Sequence, residues 1–64
     1  MLSEALRTGM RVRANADAQY HPDIVGTVTH VYGHRSYRAA EVRFDNGRTA
    51  LFWHYQIDLV ELPD

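Results

Sequence analysis

The stretch HVYGHRSYR, residues 30–38, gathers side chains that could do binding chemistry. Arg35 and Arg38 could contact phosphate or carboxylate groups. Tyr32 and Tyr37 could stack on bases or pack against a protein surface. The Gly within the stretch and the polar residues around it predict a hairpin tip. The first candidate site is therefore a turn that helps to hold a partner.

Net charge indicates which partner suits such a turn. The chain has seven Arg, no Lys and eight acidic residues, which gives a formal net charge of −1. Affinity for nucleic acid grows with the number of phosphates that cationic side chains neutralise. The balance therefore favours a protein partner, with weak RNA or DNA binding as the alternative. That alternative would use six residues: Arg11, Arg13, Tyr32, Arg35, Tyr37 and Arg38.

Catalytic and metal-binding patterns are not found. The chain has no Cys, and neither Ser3 nor Ser36 lies in a Gly-x-Ser-x-Gly elbow. His30 and His34 are four residues apart, a spacing that brings two ligands together on a helix. Here the pair spans a strand end and a turn, so we expect surface histidines. We predict a chain with no enzymatic activity, no cofactor and no metal.

Size and composition predict one small soluble domain. At 64 residues, 45% of them hydrophobic and 23% charged, the chain is globular, but its core must be thin. No apolar run approaches the roughly 18 residues of a membrane span. The N-terminal residues include Glu4 and lack the apolar region of a signal peptide. We expect a cytoplasmic protein that does not contact membranes.

Alternating and β-branched residues predict five short strands. In GMRVRAN, Met10, Val12 and Ala14 alternate with arginines, as in a half-buried strand. Gly26 within the second strand predicts a bulge or a close backbone approach. The strands are expected over GMRVRAN, IVGTVTHVY, YRAAEVRFD, RTALFW and IDLVEL, with HYQ as a short connector. A helical turn over residues 3–8, capped by Ser3 and ended by Gly9, is expected before them.

Five such strands predict an all-β fold, a small, strongly bent five-stranded SH3-like barrel. An open sheet of this size would leave two edges and a bare face, whereas a barrel covers them. We expect an N-terminal segment over 1–8, the barrel over 9–62 and a tail over 63–64. The expected core residues are Val12, Val28, Val31, Val42, Phe44, Leu51 and Leu59.

The FDNGR hairpin, residues 44–48, determines which aromatic residues are exposed. In a two-residue Asn-Gly loop, Phe52 faces outward beside Glu41 and Arg43. In a three-residue loop ending in a glycine bulge, the register slips by one residue, and Leu51 and Trp53 face outward. The sequence fits both loops. In either case, part of LFW lies on the outer face, where residues 1–8 or the 15–24 loop could cover it or a partner could bind.

The segments GMRVRA, HPDIVGTV, AEVRFDNG and IDLVEL follow one another in an order that resembles the SH3-like barrels of the Tudor and Mind bomb type. The resemblance covers roughly residues 9–62, and its hydrophobic and turn residues specify fold better than function. It implies binding of peptides or protein surfaces. Phe44 stands where the Mind bomb type has Trp, and Ala50 stands where a Tudor reader can present a cage aromatic. These departures argue against methyl-lysine recognition.

The sequence thus predicts a protein-interaction module, a small adaptor or regulatory subunit that could also self-associate. Weak nucleic-acid binding of the KOW or Tudor kind is the alternative, and a phage- or plasmid-borne inhibitor of a host enzyme is a third hypothesis. Arginines and aromatic residues are the usual anchors of interfaces. The predicted partner-binding residues are Arg35, Tyr37, Arg38, Arg43, Phe52, Trp53 and Tyr55.

Overall fold

The computed structural model describes residues 5–61, which form one antiparallel sheet of five strands. The elements are β1 (Arg11–Ala14), β2 (Gly26–His34), β3 (Tyr37–Phe44), β4 (Thr49–Trp53), a 3-10 turn (His54–Gln56) and β5 (Ile57–Glu61). The predicted all-β class is confirmed. Within the described range, no helix is long and apolar enough to cross a membrane.

The strand order is β4-β3-β2-β1-β5, so the last strand returns to lie beside the first. Every strand contributes a buried side chain to a single hydrophobic core, from Val12 on β1 to Phe52 on β4 and Ile57 on β5. One face of the sheet is therefore bent around the core. We call the opposite face the outer face.

The core extends beyond the strands. Leu6 precedes the first strand, Met10 adjoins it and Ala18 lies in the loop before β2, and all three are buried with the strand residues. These residues therefore cover the inner side of the sheet and leave the outer face of β4 open. The predicted cap at Ser3 lies outside the described residues.

The core predictions are confirmed at Val12, Val28, Val42 and Phe44, and Val31 packs partly buried against them. Two predictions are wrong. Leu51 is 64% exposed because it points to the outer face. Leu59 is 44% exposed: it pairs with Val12, but β5 has only β1 as a neighbour and ends the sheet there.

Gly26 allows a close backbone approach between β2 and β3. A Cβ at this position would lie 2.5 Å from Cγ1 of Val42 and 3.0 Å from the carbonyl oxygen of Arg43. The bulge of β2 lies further along, at Thr29, where the pairing shifts between Val28 and His30. Of the two readings of Gly26, the close approach is therefore the correct one.

The FDNGR hairpin has the three-residue loop. The Phe44 amide donates to the Arg48 carbonyl, the Gly47 amide donates to the Phe44 carbonyl, and Gly47 has a φ of 89°. Ala40 then pairs with Phe52. Because the side chain of Ala40 is in the core, Phe52 turns inward as well, and it is only 4% exposed.

Candidate protein-binding surface

The outer face of β2, β3 and β4 carries a continuous group of exposed apolar side chains. We call this group the aromatic face. It consists of Tyr32, Tyr37, Leu51, Trp53 and Tyr55. The strand pairing places Tyr32, Tyr37, Leu51 and Trp53 on one side of the sheet, and a ring contact with Tyr37 adds Tyr55 from the 3-10 turn. Trp53 is 43% exposed although tryptophan is usually buried. This exposed apolar patch is therefore the candidate site.

Tyr37 is the centre of the aromatic face. Its ring centroid lies 4.8 Å from that of Trp53, 5.1 Å from that of His54 and 6.5 Å from that of Tyr55. The strand β3 supplies Tyr37, the end of β4 supplies Trp53, and the 3-10 turn supplies the other two. Ring contacts at these distances hold the side chains in place on the face.

Ala39 lies between two larger residues of the aromatic face. Ala39 pairs with Tyr32 on β2 and with Trp53 on β4. Adjacent strands lie about 4.8 Å apart, so these two aromatic residues stand about 10 Å apart on either side of a methyl group. Ala39 itself is only 7% exposed, so neighbouring side chains already cover its methyl group.

Polar groups border the aromatic face along β2 and β3. Glu41 accepts hydrogen bonds from the Thr29 hydroxyl, at 3.0 Å, and lies 3.2 Å from Nδ1 of His30. Arg43 follows on the same face of β3, beside a depression of about 410 Å³ next to Thr27 and Asp45. A partner would therefore meet an apolar centre with a polar rim.

Partial burial, the contact with Tyr37 and the charge of Asp17 raise the pKa of Tyr55 above its ordinary value. A hydrogen bond between Tyr55 and Tyr37 is one cause of this raised pKa, and it links the two phenols within the aromatic face. The hairpin tip lies next to Tyr37, since Tyr37 pairs with His34 across a turn at Arg35 and Ser36. The Ser36 hydroxyl is 2.9 Å from Nδ1 of His34.

The predicted partner-binding residues do not all come together. Tyr37, Trp53 and Tyr55 form one cluster, Arg35 lies at the adjoining tip and Arg43 is on the same face of the sheet. The outward placement of Phe52 is wrong, because the three-residue hairpin loop turns its ring into the core, 5.9 Å from the ring of Phe44.

Arg38 also departs from the expected surface. It alternates with Tyr37 along β3 and points to the other side of the sheet, where Nη1 donates a 3.1 Å hydrogen bond to the Leu6 carbonyl. This side chain holds the N-terminal segment in place. The strict alternation of YRAAEVRF could have indicated that Tyr37 and Arg38 face opposite ways.

The residues of the nucleic-acid alternative are spread over the sheet. The guanidinium of Arg11 on β1 donates two hydrogen bonds to the Asp45 carboxylate, from Nη1 to Oδ1 at 2.9 Å and from Nη2 to Oδ2 at 2.6 Å. It also donates a hydrogen bond to the Thr27 hydroxyl. This paired contact raises the pKa of Arg11 and lowers that of Asp45. Arg13 lies 3.7 Å from Asp23. Both arginines thus already face carboxylates.

Sequence reasoning missed two features of the site. Leu51 was assigned to the core, and its exposure depends on the hairpin register. Ala39 was not singled out, because an alanine in a strand gives no sign that it lies between two aromatic residues.

No family model, no curated protein and no solved structure matches this chain.

Proposed function

We propose that this chain is a non-enzymatic, SH3-like protein-interaction module that works as an adaptor or regulatory subunit in the cytoplasm. The observation that carries the proposal is the aromatic face, with Tyr37, Trp53 and Tyr55 in mutual contact and exposed. The resemblance to the Tudor and Mind bomb type supports the same function. A single core shared by all five strands supports the barrel architecture.

The partner would present an apolar side chain to the aromatic face. Tyr37 and Trp53 would contact that side chain, since both are exposed and their ring centroids lie 4.8 Å apart. Arg43 and Glu41 would meet polar groups at the border. Buried aromatic anchors surrounded by a polar rim are the usual energetic centre of a protein interface.

Quantitative affinity capture from native cytoplasm tests this function. Immobilised wild-type chain is compared with Trp53→Ala and Tyr37→Ala, each checked for folding by circular dichroism. A partner of the aromatic face is retained by the wild type and lost from both variants, about tenfold or more for an interface anchor. Val60→Ala is the control, because Val60 is an exposed apolar residue on β5, outside the aromatic face.

A protein captured equally by wild type, Trp53→Ala and Tyr37→Ala would contradict the proposal. Weak nucleic-acid binding has its own test, an amide chemical-shift titration with single-stranded and duplex oligonucleotides at low salt. Shifts confined to residues 30–38 and to Arg11 and Arg13, and abolished by added salt, would favour that alternative. We expect no such shifts, because Arg11 and Arg13 lie against Asp45 and Asp23.

A further inference from the structure

The edge of β4 is the least protected part of the sheet. Natural edge strands carry charges, prolines or bulges that prevent pairing with another chain. The five residues of β4, Thr49–Trp53, include none of these, whereas the other edge strand, β5, carries Asp58 and Glu61. The sheet therefore has one edge that is suited to accept a further strand.

The hydrogen-bond pattern shows which groups of β4 face this edge. Since the Phe44 amide bonds the Arg48 carbonyl, alternate residues from Arg48 onward bond to β3. The amides and carbonyls of Thr49, Leu51 and Trp53 then point away from β3. The Trp53 amide already donates a 2.8 Å hydrogen bond to Oε1 of Gln56. Thr49 and Leu51 are left as the pairing positions.

A groove of about 370 Å³ runs along the same edge. It lies between β4 and the 17–20 part of the loop before β2, and its lining includes Asp17, Tyr20, Ala50, Phe52 and Gln56. Gln56 Nε2 lies 3.4 Å from the Asp17 carbonyl oxygen and links the two sides at one end. A strand laid along β4 would place its inward-facing side chains in this groove.

Two unmatched charges suggest what occupies the groove. Among residues 5–61, the carboxylate of Asp17 and the guanidinium of Arg48 form no ion pair or hydrogen bond with other side chains. Asp17 lines the groove, and Arg48 stands at the beginning of the edge strand. The chain thus carries both the anionic site and the cation that would fill it.

We propose that the chain forms a two-fold symmetric dimer in which the β4 strands of two copies pair antiparallel, with the axis at Ala50. Thr49 of one copy then pairs with Leu51 of the other, and the two exchange backbone hydrogen bonds. By symmetry, Leu51 of the first copy pairs with Thr49 of the second. The capping of Trp53 by Gln56 limits the pairing to these residues and so fixes the register.

In this register, Arg48 of one copy lies opposite Phe52 of the other. The Arg48 side chain then points into the groove of the other copy, beside Asp17 of that copy. The two-fold symmetry produces a second, identical ion pair. A strand from a different protein would need a cation at the same distance from its pairing residues. In this chain, Arg48 already stands at that distance from Thr49 and Leu51. The dimer leaves Tyr32 and Tyr37 of both copies uncovered, so a partner could still reach them. The dimer therefore does not depend on the proposed function.

Sedimentation equilibrium over a dilution series tests the dimer. We expect a species of twice the 7.4 kDa chain mass at high concentration, dissociating on dilution. Thr49→Pro should abolish it, because proline removes an amide that points to the partner and none that bonds β3. Arg48→Glu and Asp17→Arg should each weaken it about tenfold or more, since two pairs become repulsive.

The double variant Asp17→Arg with Arg48→Glu should restore the dimer, because the charges are exchanged. Arg7→Glu, the same charge change in the N-terminal segment, should leave dimerisation unchanged. Amide exchange gives the register, with Thr49 and Leu51 protected only at concentrations where the dimer forms. A monomer at every concentration, a dimer unaffected by Thr49→Pro, or protection of these amides only by a different protein would each overturn the proposal.

Discussion

Two neighbouring residues, Leu51 and Phe52, show how much depends on a single position in a strand. Both are large and apolar, and they follow one another in TALFW. Phe52 is in the core against Phe44, whereas Leu51 is on the aromatic face. Phe52 therefore contributes to the stability of the fold, whereas Leu51 belongs to the proposed binding surface.

Phe52→Ala should destabilise the fold by about 3–5 kcal/mol, because it removes a buried ring and leaves a cavity. That loss is comparable with the whole free energy of unfolding of a chain of this length, about 3–10 kcal/mol. Leu51→Ala should change the free energy of unfolding by about 0.5 kcal/mol or less. Urea denaturation followed by circular dichroism measures both.

Phe52→Leu keeps the comparison measurable if Phe52→Ala does not fold, with an expected cost of about 1–2 kcal/mol. A larger loss for Leu51→Ala than for Phe52→Leu would contradict the three-residue hairpin loop. It would indicate the alternative register, in which Leu51 is in the core.

The Arg11–Asp45 pair makes a prediction about pH. The hydrogen bond from Arg11 lowers the pKa of Asp45 in the folded state. Because the pKa of Asp45 is lower in the folded state than in the unfolded state, the pair stabilises the fold at pH values above the unfolded-state pKa. This stabilisation is lost as the pH falls through the folded-state pKa. Arg11→Gln should raise the Asp45 pKa toward its ordinary range, measured by NMR titration of the carboxyl carbon. An unchanged Asp45 pKa in Arg11→Gln would show that the pair does not form in solution.

At the scale of elements, alternation was enough to predict the strands. The faces of Met10, Val12 and Ala14 follow from their spacing, and all three are buried. The hairpin loop could not be predicted, because Asn-Gly fits both loop lengths, and the difference moves every side chain of β4 to the other face. The site residues Leu51 and Phe52 were consequently exchanged, and Trp53 faces outward only in the three-residue loop, whereas Tyr37 and Tyr55 lie outside β4 and do not depend on this register.

The bulge at Thr29 was beyond prediction for a different reason. It lies among β-branched residues without a glycine, and the Thr29 hydroxyl there donates a 3.1 Å hydrogen bond to the Glu41 backbone carbonyl. Such a contact between strands has no local sequence signal. Its effect is to bring Tyr32 onto the aromatic face.

Two glycines in the β2–β3–β4 region should respond differently to alanine. Gly26→Ala places a methyl group 2.5 Å from Val42 Cγ1, and we expect a loss of about 1–3 kcal/mol from overpacking. A Cβ at Gly47 meets no atom within 4 Å, so Gly47→Ala costs only the strain of its positive φ, about 1–2 kcal/mol. Thermal unfolding of the two variants measures these losses.

Gly47→Asn is the control for the loop, since asparagine adopts a positive φ more readily than alanine. It should recover part of the loss seen in Gly47→Ala. An equal loss for alanine and asparagine at this position would contradict the left-handed backbone of Gly47.

At the scale of the whole molecule, the sheet needs the segment before its first strand. Leu6 is buried in the core, and its carbonyl accepts the hydrogen bond from Arg38 on β3. In a chain with so little buried surface, one such residue is a large part of the core. Leu6 therefore contributes to the same core as the strands.

Leu6→Ala should destabilise the protein by about 2–5 kcal/mol, the range for a buried leucine. Guanidinium denaturation measures it, and Thr8→Ala, an exposed position in the same segment, is the matched control. A Leu6→Ala variant as stable as Thr8→Ala would mean that the segment does not pack on the sheet in solution.

The pairing of β1 with β5 has a consequence for biosynthesis. Strands β1 to β4 leave the ribosome as neighbours in order, but Ala14 pairs with Ile57, which is made after all of them. Until Ile57 emerges, a nascent chain has an unpaired β1 edge and a gap in its core. Closing contacts between such distant residues is also the slow step in folding. During translation, strands β1 to β4 are therefore made before the residues that complete the sheet and the core.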